Sequence, residues 1–223
     1  MINVHILTIF PEMFTGPFDY SIVKRARDKN LVKITTYDLR KWSVNSYNSV
    51  DDHPFSGGPG MVIGIEPIYK AIADIKKGLT GKTVTVLTSA KGEFFTQKLA
   101  LDFTKFDNII IICGHYEGVD ERVREHLVDH EISIGKFVLS GGEIPAMVIV
   151  DSVTRLLPEA LHNSDSIVDE SFSEADILEY PQYTRPAVFT TEKGEDWSVP
   201  DVLLNGNHKE IQKWREQNKQ HIK

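Results

Sequence analysis

The chain has 223 residues, of which 41% are hydrophobic and 26% charged, so it can hold one large domain with a small appendage and has an ordinary globular composition. Its 25 basic and 32 acidic residues give a formal net charge of −7, which argues against broad nonspecific binding of nucleic acid such as DNA. No apolar run approaches the roughly 20 residues of a membrane span, and Met1–Phe10 lacks the features of a secretory signal, so we expect a cytoplasmic protein without a membrane partner.

Short apolar strands alternate with helices from the start of the chain to Leu156. Runs of β-branched residues indicate the strands, and a period of 3.6 residues indicates the helices. The chain opens with an apolar run at Asn3–Phe10. The predicted elements that follow are, in chain order, a helix at Ser21–Asp28, a strand at Val32–Tyr37, a helix at Pro67–Lys76, a strand at Thr83–Thr88, a helix at Thr96–Phe103, a strand at Asn108–Cys113, a helix at Asp120–Leu127, one or two strands within Glu131–Leu139 and a helix at Glu143–Leu156. This alternation predicts an α/β fold, with a mostly parallel sheet and helices on both faces.

The composition changes after Pro158, and we expect a second domain beyond it. Residues 1–158 are predicted to form the α/β domain, 159–176 a polar and acidic flexible linker, and 177–223 a small helical domain. In the latter a helix begins at Asn207, where Asn207 and Glu210 have the spacing of a variant capping box.

Three apolar strands run into loops that contain glycine, within residues 87–92, 109–122 and 132–146. In an open parallel sheet the carboxyl ends of the strands meet at one edge, where unpaired backbone groups commonly bind a ligand. The loops therefore predict one small-molecule pocket. Because no phosphate-binding motif is present, an adenosine-containing ligand without a triphosphate fits best. A long stretch of weak periodicity, 38–64, is either a further functional loop or a flexible connector.

The cysteine and histidine residues do not indicate a reactive thiol or a metal site. Cys113 is the only cysteine and ends an apolar strand, which favours burial over a catalytic role. His126 and His130 have helical i, i+4 spacing but lack the glutamate of the zinc-protease pattern, so a solvated helix face is favoured. We predict no metal-ligating residue.

Several charged groups leave two interpretations open. The basic clusters within Lys24–Lys29 and Lys209–Lys219 are either solvated helix faces or phosphate contacts. Asp151 and Arg155 fall at i, i+4 on one predicted helix, where they form either an ion pair or functional groups. The adjacent carboxylates Asp169-Glu170 stand in the linker, where such pairs are usually solvated.

A series of ordered motifs spans the chain from its first residue to about residue 216. They are Phe10-Pro11-Glu12-Met13-Phe14, Gly57-Gly58-Pro59-Gly60-Met61, Ile112-Cys113-Gly114-His115-Tyr116-Glu117-Gly118, Asp120-Glu121-Arg122, Ser140-Gly141-Gly142-Glu143, Tyr183-Thr184-Arg185-Pro186 and Leu204-Asn205-Gly206-Asn207-His208. In this order they resemble the signature stretches of the bacterial tRNA (guanine-N1)-methyltransferase family, TrmD, of the SPOUT class.

The resemblance implies a fold, an activity and partners that composition and periodicity do not reveal. It implies S-adenosylmethionine bound in a deep C-terminal trefoil knot, which would be a rare exception to ordinary chain topology. It also implies methylation of N1 of guanosine at position 37 of tRNA by a homodimer whose sites lie at the subunit interface. Magnesium is a possible cofactor that no motif indicates.

The resemblance also assigns roles to individual residues. Arg155 matches the arginine that faces the guanine in this family. The general base is Asp169 or Glu170, because relatives have aspartate at the position of Glu170, and the choice between the two stays open. The positions that match the binding site for the methyl donor are Leu87, Ser89, Gly114, Glu117, Ile134, Gly135, Lys136, Phe137, Val138, Leu139, Gly141, Gly142 and Pro145.

The chain departs from the family pattern at a few places. Ser56 replaces a common glycine, Phe137 replaces a common tyrosine, and Thr190–Trp197 looks like a small insertion. The sequence also stops soon after the helix of Trp214, where relatives usually continue. One alternative is a noncatalytic RNA-binding module that lost turnover through the order Asp169-Glu170. Another, reached without the resemblance, is a nucleotide-dependent oxidoreductase on a Rossmann sheet.

Overall fold

The structure of the chain is a computed structural model that describes residues 1–44, 47–55, 57–161, 171–172 and 177–221. It divides into two compact units, Met1–His162 and Asn163–Lys223. Within the described residues, no helix has both the length and the apolar character needed to cross a membrane.

The first unit is built on a parallel sheet of five strands. Its elements in chain order are β1 (Ile2–Thr8), α1 (Ser21–Asp28), β2 (Val32–Asp38), β3 (Asp51–Asp52), β4 (Val62–Ile63), α2 (Ile65–Lys77), β5 (Thr83–Phe94), α3 (Gln97–Phe103), β6 (Asn108–Cys113), α4 (Glu121–His126), β7 (His130–Ser133) and α5 (Glu143–Arg155). The sheet order is β2-β1-β6-β5-β7, and each neighbouring pair is parallel. The short β3 and β4 form a separate antiparallel pair.

The strands contribute side chains to a separate core on each face, because successive residues of a strand point to opposite sides of the sheet. In β6, Ile109 and Ile111 pack on one face with residues of α1, α3 and α5. Ile110 and Ile112 pack on the other face with residues of α2 and α4. Helices therefore cover both faces, which confirms the predicted α/β fold class.

The predicted end of β5 was wrong, and the strand material predicted within Glu131–Leu139 forms one short strand. β5 continues to Phe94 instead of ending at Thr88, because its pairing with β7 resumes after an interruption. The strand predicted within Glu131–Leu139 ends at Ser133, where the Ser133 hydroxyl donates to the Gly135 carbonyl at 3.0 Å and the chain turns away. Both segments contain residues that line the cavity described below.

The first unit extends past Pro158. Ala160 is buried in the core beside α5, and Nζ of Lys29 donates a hydrogen bond to the Glu159 carbonyl at 2.9 Å. Most of the predicted linker, residues 162–170 and 173–176, lies outside the described residues.

The described part of the second unit contains one α-helix and two short antiparallel sheets. Its elements are β8 (Ile177–Leu178), β9 (Val188–Thr190), β10 (Asp196–Ser198), α6 (His208–Asn218) and β11 (Gln220–His221). β9 pairs with β10, so the predicted insertion contributes to a hairpin, and β8 pairs with β11.

The start of α6 differs from the predicted capping box. Oδ1 of Asn207 accepts from the backbone N–H of Lys209 at 3.2 Å. The Glu210 carboxylate accepts a hydrogen bond from Nδ2 of Asn205 at 2.9 Å and not from the backbone amide of Asn207. Asn205 in turn accepts from the Asn207 amide through Oδ1 at 2.8 Å. The helix is therefore capped by two asparagines, and the predicted reciprocal bond of the capping box is replaced.

His5 is a buried titratable group in the centre of the sheet. It is 8% exposed, and its Nδ1 lies 3.0 Å from the hydroxyl of Tyr37 on the neighbouring strand. Burial, and then the positive charge of Lys33, lower the pKa of His5 below its ordinary value of 6.5. The fold therefore favours the neutral imidazole.

We predict that His5→Asn reduces the dependence of the free energy of unfolding on pH. The pKa of His5 is lower in the folded protein than in the unfolded chain. The contribution of neutral His5 to the free energy of unfolding is therefore complete above pH 6.5 and declines as the pH falls from 6.5 toward the pKa of the folded protein. For one proton, the slope in this window cannot exceed about 1.4 kcal/mol per pH unit. Urea denaturation at several pH values measures it, and asparagine keeps a polar group near Tyr37.

The control is His126→Asn, because the side chain of His126 is 69% exposed. This variant should retain the slope of the wild-type protein. Parallel slopes for the wild type and His5→Asn would show that His5 does not contribute.

Candidate functional site

A cavity of about 280 Å³ lies where the carboxyl ends of β5, β6 and β7 meet the amino terminus of α5. Its walls come from three segments, 87–91, 114–119 and 131–142, with further residues from α4 and α5. These are the three loops that the sequence predicted to surround one pocket. The cavity brings together every predicted donor-binding residue except Lys136, whose Nζ lies 5.9 Å from the centre of the Phe94 ring.

The first wall is an interruption in β5. Thr88 and Glu93 both pair with Ile132 of β7, so the four residues between them leave the ladder. A Cβ built on Gly92 would lie 2.4 Å from the carbonyl oxygen of Glu131, and only glycine permits this close approach. The interruption directs Ser89 and Lys91 into the wall of the cavity.

At the second wall, the backbone at the start of α5 contacts the backbone of the loop after β6. The amide of Gly142 donates to the Gly114 carbonyl at 2.7 Å. A Cβ on Gly142 would lie 2.0 Å from Oγ1 of Thr88 and 2.8 Å from Cα of Cys113. No side chain fits between the helix amino terminus and the ends of β5 and β6. Gly142, which the sequence predicted in this loop, is therefore required by packing.

The glycine-rich segment between β3 and β4 supports the wall that residues 114–119 form. Backbone bonds from Glu117 N to Met61 O (3.1 Å) and from Ile63 N to Gly118 O (3.0 Å) join the two loops. Gly60 has φ +91°, and a Cβ there would lie 2.5 Å from Cγ of Glu117. Part of the long stretch 38–64 is thus tied to the wall, with the Glu117 side chain packed against Gly60.

Charged side chains of both signs line the cavity. The carboxylates are Glu117, Glu121 and Glu131, and the cations are Lys91 and Arg124. Arg124 donates from Nε to the carboxylate of Glu121. The sequence did not single out Lys91, Arg124 or Glu131. Lys91 and Glu131 are neighbours of predicted positions, whereas nothing in the pattern of α4 indicated that Arg124 faces this space.

Cys113 is a structural thiol. It is 1% exposed, and burial, followed by the negative charge of Glu143, raises its pKa well above the ordinary value. A reactive cysteine needs the opposite, an exposed and electropositive environment. The predicted burial of Cys113 is confirmed. Among the described residues, no group of three or more His, Cys, Asp and Glu side chains could hold a metal ion.

Of the three predicted catalytic residues, the structure describes only Arg155, which does not line this cavity. Asp169 and Glu170 lie outside the described residues. Arg155 is the last residue of α5, whereas the cavity is at the first turn of that helix, at Gly142 and Pro145. Arg155 lies ten positions after Pro145, which is about 15 Å along the helix axis. Asp151 is exposed, one turn before Arg155.

Comparison with known proteins gives one consistent family. Residues 2–222 match the model of a family described as tRNA (guanine-1)-methyltransferase TrmD. A tRNA (guanine-N(1)-)-methyltransferase of Dictyoglomus turgidum is 52% identical over 215 residues, which cover 96% of this chain and 84% of that protein. Proteins of the same name from Staphylococcus haemolyticus and Bacillus cereus are 47% and 50% identical, over 97% and 96% of this chain and 85% of each of theirs.

We predict that Gly60→Ala lowers the affinity for S-adenosylmethionine by roughly tenfold. The added methyl group would meet Glu117 and displace it from the cavity wall. Isothermal titration calorimetry measures the affinity. Gly58→Ala is the matched control, since Gly58 also has a positive φ (+114°) but open space around it.

Both substitutions should destabilise the fold by a similar amount, about 1–2 kcal/mol for a left-handed residue. Only Gly60→Ala should weaken binding of the donor. Equal losses of affinity in the two variants would show that backbone strain, and not the contact with Glu117, controls the wall.

Proposed function

The chain belongs to the tRNA (guanine-1)-methyltransferase TrmD family, and we propose that its cavity holds S-adenosylmethionine while N1 of guanosine 37 of a tRNA is methylated. Family membership makes the protein an S-adenosylmethionine-dependent tRNA (guanine-N1)-methyltransferase, which excludes the oxidoreductase alternative. The observation that supports this donor site is the convergence of three separate loops, with the residues that match the family motifs, around one cavity.

The lining of the cavity fits an adenosyl sulfonium. Leu87, Ile134 and Leu139 offer apolar surface for a purine, and the loop amides and carbonyls can bond to its edge. At Gly135 a Cβ would lie 2.3 Å from the ring of Phe137, so the backbone itself forms this part of the cradle. The carboxylates on the wall, among them Glu117, provide negative charge for a cationic ligand.

Methylation of the acceptor guanine requires a base that removes a proton from N1 and a cation that stabilises negative charge on O6. Guanine N1 carries a proton at neutral pH, so its lone pair becomes available only when a base removes that proton. We assign this role to Asp169 or Glu170. The bound donor supplies a methyl group on positively charged sulfur; the N1–C bond forms as the C–S bond breaks, and the electron pair stays on sulfur. A guanidinium stabilises the negative charge that grows on O6, and we assign this role to Arg155.

The position of Arg155 supports a homodimer with shared sites. The arginine is about 15 Å along α5 from the cavity of its own chain. On the outward face of the same helix, Ile144 and Val148 are 49% and 38% exposed, and the i, i+4 and i, i+7 spacings place Arg155 on this stripe. A second copy packed on the stripe would bury these apolar side chains. It would also place the Arg155 of each chain near the cavity of the other.

The second unit is the proposed contact for tRNA. Lys209 and Lys213 are exposed and one turn apart on α6, a spacing that suits two phosphates of an RNA backbone.

We also propose a cytoplasmic location, because tRNA is found there. The trefoil knot implied by the family resemblance belongs to the same proposal.

Methyl transfer to an unmodified tRNA with guanosines at positions 36 and 37 tests the function. The wild-type protein should methylate this RNA and not a variant with adenosine at 37. We predict that Glu170→Gln and Asp169→Asn, made singly, differ in effect. One should lower the rate of transfer by about a hundredfold or more, as loss of a general base does. The other should retain most of the activity, and both should bind the donor normally.

Calorimetry with S-adenosylmethionine supplies the binding control for these two variants. Wild-type turnover in both would refute the general-base assignment. A wild-type protein that binds donor and tRNA without transfer would favour the noncatalytic RNA-binding alternative.

We predict that two inactive variants restore activity when they share a dimer. Arg155→Ala removes the cation, and Ser89→Trp blocks the cavity wall. If each arginine serves the cavity of the other chain, a mixed dimer has one complete site, since the open cavity of the first variant meets the intact arginine of the second. Co-expression with two affinity tags isolates the mixed dimer for the transfer assay.

The mixed dimer should show about half of the wild-type rate per dimer, because one of its two sites is complete. Absence of activity in the mixed dimer would place Arg155 and the cavity of one chain in the same site. Calorimetry should show that Ser89→Trp has lost donor binding and that Arg155→Ala has not.

A further inference from the structure

A buried carboxylate lies directly behind the wall of the donor cavity. Glu143, the first residue of α5, is 1% exposed. A Cβ built on Gly141 would lie 2.3 Å from Oε2 of Glu143 and 2.5 Å from Cδ2 of His115. Gly141 and His115 both line the cavity. A glycine backbone and the edge of an imidazole therefore separate this carboxylate from the ligand space.

The hydrogen bonds of the neighbouring Thr8 fix the role of Glu143 as an acceptor. The Phe10 amide donates to Oγ1 of Thr8 at 2.9 Å. The Thr8 hydroxyl, which is fully buried, has one proton and donates it to Oε1 of Glu143 at 2.7 Å. Oε1 of Glu143 therefore accepts a hydrogen bond, and its other oxygen, Oε2, lies beside Gly141. Glu143 is thus held in one place by the end of β1.

A buried carboxylate is unfavourable unless positive charge compensates it. The amino terminus of α5 provides part of this charge through the helix dipole. Among the residues that the structure describes, no basic side chain forms an ion pair with Glu143. The donor cavity lies on the other side of Gly141, so a cation bound there could supply the rest of this charge.

We propose that Glu143 determines the preference of the donor site for the sulfonium of S-adenosylmethionine over the neutral thioether of S-adenosylhomocysteine. This inference rests on the proposed donor site. The two molecules share their adenosine and amino-acid ends and differ in charge at sulfur. Methyl transfer leaves the electron pair of the broken C–S bond on sulfur, which removes its positive charge. A negative charge behind the wall stabilises the donor and not the product, so it favours exchange of product for donor.

Two roles of Glu143, its charge and its hydrogen bond, can be separated by substitution. Glu143→Gln retains the shape and an oxygen that accepts from Thr8, but it removes the charge. Thr8→Val removes the hydroxyl and retains the charge. Glu125→Gln is the control for removal of a carboxylate, because Glu125 is exposed on α4 and does not line the cavity.

Isothermal titration calorimetry with each variant gives the dissociation constants for S-adenosylmethionine and S-adenosylhomocysteine. For Glu143→Gln we expect the affinity for the donor to fall by about tenfold, as one charge at about 10 Å would produce at an effective dielectric constant of about 20. The affinity for the product should change by less than about twofold. Thr8→Val should change both affinities by the same factor, and Glu125→Gln should change neither.

An analogue with a protonated amine in place of the sulfonium provides a second comparison. It should lose affinity in Glu143→Gln as the donor does. If Glu143→Gln does not fold, the double variant Thr8→Val with Glu143→Met replaces the bonded pair by apolar groups. It should show the same loss of preference for the charged ligand.

The proposal would be overturned if Glu143→Gln kept the wild-type ratio of donor affinity to product affinity. Glu143 would then have only a structural role. A wild-type protein that binds neither ligand would instead refute the proposed donor site. The two failures are therefore distinguishable in one series of titrations.

Discussion

The close approach of the α5 amino terminus to the ends of β5 and β6 is the constraint on which the site depends. Gly142 leaves no room for a side chain between these backbones, and its amide is bonded to the carbonyl of Gly114. This contact brings the loop after β7 against the loop after β6. With the interruption of β5 at residues 89–92, it creates a cavity whose walls begin at the ends of the strands. Such walls are rigid, because each is anchored to a strand of the central sheet.

The same contact places the cavity at one end of α5 and Arg155 at the other. α5 begins at the cavity and ends at Arg155, so one helix joins the donor loops to the proposed cation for guanine. Its inward face packs in the core through residues such as Ile149, and its outward face carries the exposed Ile144 and Val148. An element that is apolar on two sides suits a position between two layers of protein. In the proposed homodimer, α5 would connect the two sites.

The periodicity of the sequence predicted much of the first unit, because strongly patterned segments leave few alternatives. Asn108–Cys113 was predicted with both bounds correct, and Pro67–Lys76 missed α2 by a few residues. The end of β5 was missed because its continuation to Phe94 depends on pairing with β7 beyond the interruption. The capping box predicted for Asn207 and Glu210 formed only at Asn207, because local spacing does not reveal that Asn205 donates to the Glu210 carboxylate.

By itself, the sequence determined the fold class, the family and the loops that surround the cavity. These depend on local order along the chain, on alternating hydrophobicity and on motifs that are contiguous. Only the tertiary structure decided that Lys136 lies off the wall, that Arg124 lies on it and that Glu143 is buried behind Gly141. Such facts depend on distances between segments far apart in sequence, such as the 135 positions that separate Thr8 from Glu143. The spacing of residues along one chain does not contain these distances, because they arise only when the strands and helices pack together.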